Sequence, residues 1–299
     1  MCFTMAGVVL CNCSELYNIL NQYIRVSRLS ESNFLCLIDA RTKDEYNESH
    51  VITARRAKWD CIGRFIPDAD VETESLRYIV VYDSNSSSLQ GSGPAIECAG
   101  VVAKTSRHPV HILNGGYERF SAVYPFLRTQ KILYTLQELE SLHPYPVEIL
   151  LGQLYMGDYK QATSPHILKD LKLKALVNIS ENTSHIFENS SCTILNIPVA
   201  DYVEADLFGF LERTCEFINT HLSAGSAVLI FSKHGKSRCS AVTIAFLLHH
   251  LKFTLMEAWA HVLKCKTNMR PNRGFVQQLS DWELHTLGKR VTDIAEPLY

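Results

Sequence analysis

The stretch Ala227-Val228-Leu229-Ile230-Phe231-Ser232-Lys233-His234-Gly235-Lys236-Ser237-Arg238 constrains the fold of this chain more than any other. Apolar residues of β-strand type run into a short polar loop with one glycine, and 241–248 leaves that loop as an apolar helical segment. A buried strand, a glycine loop and a helix start, in that order, belong to an α/β sheet. The arrangement aims successive backbone N–H groups at an anion, and the helix dipole adds to the attraction. Arg238 can close the far side, because its planar fork matches phosphate oxygens. Ser232, Lys233, His234, Gly235, Lys236, Ser237 and Arg238 are therefore the candidate phosphate-loop residues.

The spacing resembles the H-C-x-x-G-x-x-R signature of protein tyrosine and dual-specificity phosphatases. On this chain Phe231 takes the histidine position, Ser232 the cysteine, Gly235 the glycine and Arg238 the arginine. Cys239 stands where that family has a serine or threonine. In the family the cysteine attacks phosphorus as a thiolate. A thiol pKa of about 8.5 falls to roughly 3.5–7.5 beside a helix N-terminus and cations. A serine hydroxyl is far less acidic and becomes a nucleophile only through an adjacent base. Losing the nucleophile of a matched set costs on the order of 10⁶ in rate. The resemblance thus implies a phosphatase frame without an enzyme's chemistry. The alternative is a weak or redirected phosphohydrolase in which His234 activates Ser232.

The resemblance extends from about Tyr145 to Glu283. Val147 to Gly157 matches the opening hairpin, and Leu171 to Ser180 reads as a helix end followed by a buried strand. Asp201 falls on the family's general-acid position, but with no leaving group to protonate, capping of a helix over 204–208 or plain solvation is the favoured reading. Leu255 to Leu263 has helical periodicity. Pro271-Asn272-Arg273-Gly274-Phe275-Val276-Gln277-Gln278-Leu279 resembles the closing P-N-x-G-F-x-x-Q-L element, a turn that starts the last helix.

In the first half, Asp39, Arg41, Glu45, Tyr46 and His50 form a D-x-R…E-Y…H series that resembles rhodanese-like domains, where these would be fold and loop residues. Tyr78-Ile79-Val80-Val81-Tyr82 reads as the central strand. An active rhodanese follows that strand with a sulfur-carrying cysteine. Here Asp83 and a serine-rich loop follow instead.

Joined rhodanese-like and dual-specificity domains resemble the mitogen-activated kinase phosphatases, and in particular their catalytically dead, pseudophosphatase members. In those enzymes a basic cluster of the first domain docks the kinase. Arg55, Arg56 and Lys58 occupy a comparable region, although a short basic run is ordinarily a solvated face. The expected architecture is α/β, each domain a central sheet flanked by helices. A rhodanese-like domain covers 1–126, a linker 127–143 with a short helix near 135–142, a dual-specificity phosphatase-like domain 144–290 and a tail 291–299. The expected partners are proteins: phosphoproteins, active phosphatases or MAP kinases.

Composition sets the outer bounds. At 299 residues the chain suits two domains, each with its own core. A formal charge of −2 gives no global pull toward nucleic acid or membranes, and no nucleic-acid motif is present. The ten cysteines are scattered, and Cys11-Asn12-Cys13 lacks the second pair a zinc site needs. No metal and no cofactor are expected. Reduced thiols point to an intracellular protein, cytoplasmic in the first instance. No apolar run spans a bilayer, and the absence of arginine before Arg25 gives a mitochondrial presequence little support while leaving a mitochondrial pool open.

Overall fold

The computed structural model describes residues 7–68, 70–181, 192–295 and 299. The chain divides between His143 and Pro144 into two compact units, each with its own sheet and core.

The first unit runs β1 (Val8–Cys11), α1 (Cys13–Leu20), β2 (Leu35–Asp39), α2 (Lys43–Glu48), β3 (His50–Val51), β4 (Arg55–Arg56) and β5 (Lys58–Trp59). It continues with β6 (Phe65–Ile66), β7 (Tyr78–Tyr82), α3 (Pro94–Val102), β8 (Val110–Leu113), α4 (Gly116–Val123), β9 (Arg128–Thr129) and α5 (Leu136–Glu140). Five parallel strands form its sheet in the order β1-β8-β7-β2-β4. Central β7 is an aromatic and β-branched run, the composition that suits a strand buried on both faces.

The D-x-R…E…H residues hold this unit together. Arg41 Nη2 donates to Asp39 Oδ2 at 2.7 Å, and the Tyr82 hydroxyl donates to the same oxygen at 2.8 Å. Glu45 and Thr42 close the capping box of α2. The buried His50 ring lies 2.8 Å from the Tyr46 carbonyl and 3.0 Å from that of Lys131.

The span 127–143, expected as a linker, folds with the first unit. Its β9 pairs antiparallel with β3, and Thr135 caps α5. The span reads as a polar join because most of its side chains are exposed, whereas its attachments are largely main-chain hydrogen bonds.

The second unit begins β10 (Val147–Leu150), β11 (Leu154–Asp158), α6 (Tyr159–Ala162), α7 (Pro165–Asp170), β12 (Leu173–Ile179) and β13 (Thr193–Ile197). Then come α8 (Phe208–Ser223), β14 (Ala227–Ser232), α9 (Arg238–Leu251), α10 (Leu255–Cys265) and α11 (Arg273–Leu287). The sheet order is β10-β11-β14-β12-β13, parallel except for the β10–β11 hairpin. β14 is central, and α9 behind it is buried from Arg238 through Leu248, packed by α8, α10 and α11.

The expected tail is partly built into this unit. Buried Glu283 accepts the backbone N–H groups of Leu255, Val291 and Thr292 at 2.7–3.0 Å, which ties the segment after α11 to the start of α10. No helix among the described residues is long and apolar enough to cross a membrane.

Candidate functional site

The site stands where β14 ends and α9 begins. Ser232 is the last residue of β14, 2% exposed and in register with Asp158 of β11. The loop then turns at Gly235, whose φ is +63°. A Cβ there would lie 2.9 Å from the Gly157 carbonyl oxygen, so both the backbone angle and the close approach require glycine. Lys233 and His234 are exposed, and Lys236 is half-buried. Among the described residues the Ser237 side chain makes no cap bond to α9, which leaves N–H groups at the helix start for an incoming acceptor.

Arg238 is 7% exposed. Its Nη1 donates to the Val199 carbonyl at 3.0 Å, which fixes the guanidinium. Among the described residues its buried Nε has no hydrogen-bond partner, and Asp201 Oδ2 is 3.8 Å away. An unsatisfied buried donor costs about 1–3 kcal/mol. An anion in the loop would remove that cost.

Among the described residues Asp201 caps no helix, which corrects the capping expectation. Residues 201–204 form a bend and turn, and helix α8 starts only at Phe208. Asp201 Oδ1 instead accepts from Ser237 Oγ at 2.6 Å and from Asn272 Nδ2 at 2.9 Å. The start of α8 is served by Gln278, whose Oε1 accepts from Leu207 N at 2.7 Å and Phe208 N at 2.8 Å.

The closing element therefore does more than start α11: its residues hold the acid loop. Asn272 bonds Asp201 and the Tyr202 carbonyl, and Gln278 donates to the Ala205 carbonyl. A Cβ at Gly274 would fall 1.8 Å from the Val203 oxygen, so only glycine lets this loop approach. The element is plain in the sequence, but its hold on a loop some 70 residues earlier is a tertiary fact.

The substituted positions are tightly enclosed. Phe231 is fully buried, its ring 6.4 Å from that of Tyr159, and it presents no polar atom to the loop. Burial pushes the Cys239 thiol up, while the Ser232 hydroxyl, the Lys266 ammonium and Ser240 act in the opposite sense. The Ser232 hydroxyl thus lies against the Cys239 thiol. His234 is exposed, and no hydrogen bond joins it to Ser232 among the described residues.

Lys266 is a site residue that the sequence does not reveal. It is 2% exposed, and burial lowers its pKa to about 8, with Cys239 and Asp158 raising it and Lys236 lowering it further. Nothing in one sequence marks a lysine at a helix end as buried.

The first unit brings Arg55, Arg56 and Lys58 together with Lys104 around a groove of about 410 Å3 floored by Cys36, Ile38 and Val71. Asp68 partly offsets the charge, 3.9 Å from Arg55 and 3.4 Å from Lys58. At the end of β7, Asp83 accepts from the Ser86 N–H at 2.8 Å and the Ser86 hydroxyl at 2.6 Å. Its carboxylate folds the loop onto itself.

Residues 154–285 match the dual specificity phosphatase catalytic domain family, and residues 25–123 match the rhodanese-like domain family. Dual specificity protein phosphatase 1 of Mus musculus is 29% identical over 290 residues, which covers 84% of this chain and 78% of the relative. Dual specificity protein phosphatase 6 of Homo sapiens is 33% identical over 145 residues, or 48% of this chain and 38% of the relative. Among solved structures, human tyrosine phosphatase-like serine/threonine/tyrosine-interacting protein is 26% identical with a TM-score of 0.42, covering 47% of this chain and 96% of that one.

Proposed function

The chain joins a rhodanese-like domain to a dual-specificity phosphatase catalytic domain, and on that premise we propose that it is a pseudophosphatase, which holds phosphoproteins without hydrolysing them. The observation that carries this reading is the state of the loop. Everything that binds phosphate is kept: the uncapped α9 start, the glycine turn and a buried Arg238 with a donor to spare. What attacks phosphate is changed. Serine replaces the thiol, and phenylalanine replaces the ring that would order it. The hydrolase alternative needs a base at Ser232, and among the described residues no hydrogen bond joins exposed His234 to it.

Such a module regulates signalling by occupying phosphorylated sites or by competing with active phosphatases for them. Weak binding of phosphate, sulfate or tungstate is expected, on the order of millimolar. Arg238→Ala weakens it by roughly 1.5–3 kcal/mol, the scale of a charge-assisted hydrogen bond. Calorimetric titration of both proteins decides the matter, since equal affinities would remove the reading.

A second contact is supported by the groove of the first unit, where exposed Arg55, Arg56 and Lys58 rim an apolar floor. That pairing of charge and apolar surface suits a kinase docking face. Arg55→Glu with Arg56→Glu is expected to abolish capture of a MAP kinase while leaving thermal unfolding unchanged. Undiminished capture would rule this contact out.

A further inference from the structure

A cavity of about 770 Å3 opens beside the phosphate loop, lined by Ser237 of that loop and by Asp201. Trp259, Met269, Arg270 and Arg273 are among its walls. The Arg270 N–H donates to the Lys236 carbonyl at 2.8 Å, which ties the cavity's rim to the loop. A ligand anchored by phosphate in the loop therefore has this cavity as its immediate neighbour.

Tyr299 of this chain also lines the cavity. The Tyr299 ring meets Trp259 edge to face, with centroids 5.0 Å apart at 70°. Its main-chain oxygen accepts from Arg273 Nη1 at 2.8 Å. The same nitrogen reaches the Ile294 oxygen at 3.4 Å. An aromatic ring and main-chain oxygens, those of Tyr299 and Ile294, are engaged here. A peptide that carries an aromatic residue offers a ring and backbone carbonyls for the same contacts. Trp259 and Met269 are buried and held by the core, so the surface that meets the ring is set in advance. Edge-to-face packing and a soft thioether both favour an aromatic occupant over an aliphatic one.

We propose that this cavity is a second subsite for phosphopeptides, taking an aromatic side chain close in sequence to the phosphorylated residue, with Tyr299 as its resident competitor. The proposal rests on the reading of the loop as a phosphate site and adds a sequence preference to it. The partner class is a phosphoprotein whose phosphorylated segment carries Phe, Tyr or Trp within a few residues. Binding exchanges one ring for another and leaves the anion contacts unaltered.

The test uses the full chain and phosphothreonine peptides with phenylalanine scanned from three residues before the phosphate to three after, against an all-alanine version. Tyr299→Ala is expected to tighten binding at one or two scan positions by roughly tenfold, the equivalent of about 1.4 kcal/mol. It leaves the all-alanine peptide and tungstate unchanged. Adding Arg273→Ala to Tyr299→Ala removes most of the gain. Tungstate binding with no phenylalanine preference in either the wild type or the Tyr299→Ala variant would overturn the subsite alone. Failure of tungstate to bind at all would overturn the phosphate reading and the subsite with it.

Discussion

Phe231→His combined with Ser232→Cys is expected to raise hydrolysis of an aryl phosphate by at least about 10³ over wild type, equivalent to roughly 4 kcal/mol of barrier. The change is large because the loop needs little else. Its turn, its uncapped helix start and its buried arginine are in place. A cysteine at 232 would sit at the end of the central strand with the α9 dipole ahead of it, which favours a thiolate. Ser232→Cys alone falls short of the pair, since the Phe231 ring offers the loop no hydrogen bond. Cys239 is a further handicap. It lies against residue 232, and in the family a hydroxyl there assists the leaving thiolate, so Cys239→Ser added to the pair should help. Steady-state assays on folded protein measure this directly. A folded double variant as inert as wild type would mean that the loop geometry has drifted along with the chemistry.

Asp201→Asn, added to that revived pair, is expected to lower the rate by about 10²–10⁴, the usual contribution of a general acid. The geometry makes this substitution clean. Oδ1 of Asp201 accepts both hydrogen bonds that hold the loop, from Ser237 and Asn272, and an asparagine oxygen can accept them equally. Oδ2 faces Arg238 at 3.8 Å and takes neither. The loop should therefore stay where Asn272, Gly274 and Gln278 put it, while the transferable proton is lost. The comparison is kcat of the revived enzyme with and without the change. Indifference to Asp201→Asn would place the acid on another residue.

The local parts of this protein are legible in its sequence, and the long-range ties are not. A strand of five apolar residues, a glycine loop and an apolar helix can hardly be read otherwise. The loop residues Ser232 to Arg238 accordingly fall together, as do Asp39, Arg41 and His50 in the first unit. Their signals lie in neighbouring residues and in spacing. Span 127–143 passes for a linker because its anchors are main-chain bonds, which leave no mark on side-chain composition. Asp201 admits a helix-capping alternative because aspartate before a turn is locally consistent with it. Its true partners lie 36 and 71 residues away. Lys266 is the extreme case: its burial follows from the packing of the whole unit.

The central claim is that the loop keeps phosphate binding and has lost phosphate chemistry. Aryl-phosphate hydrolysis by wild type, measured beside Ser232→Ala in samples whose tungstate binding is titrated in parallel, tests it most directly. The expected result is bound tungstate in both proteins and no turnover that distinguishes them. Turnover in wild type that vanishes in Ser232→Ala would make Ser232 a working nucleophile and the protein an enzyme.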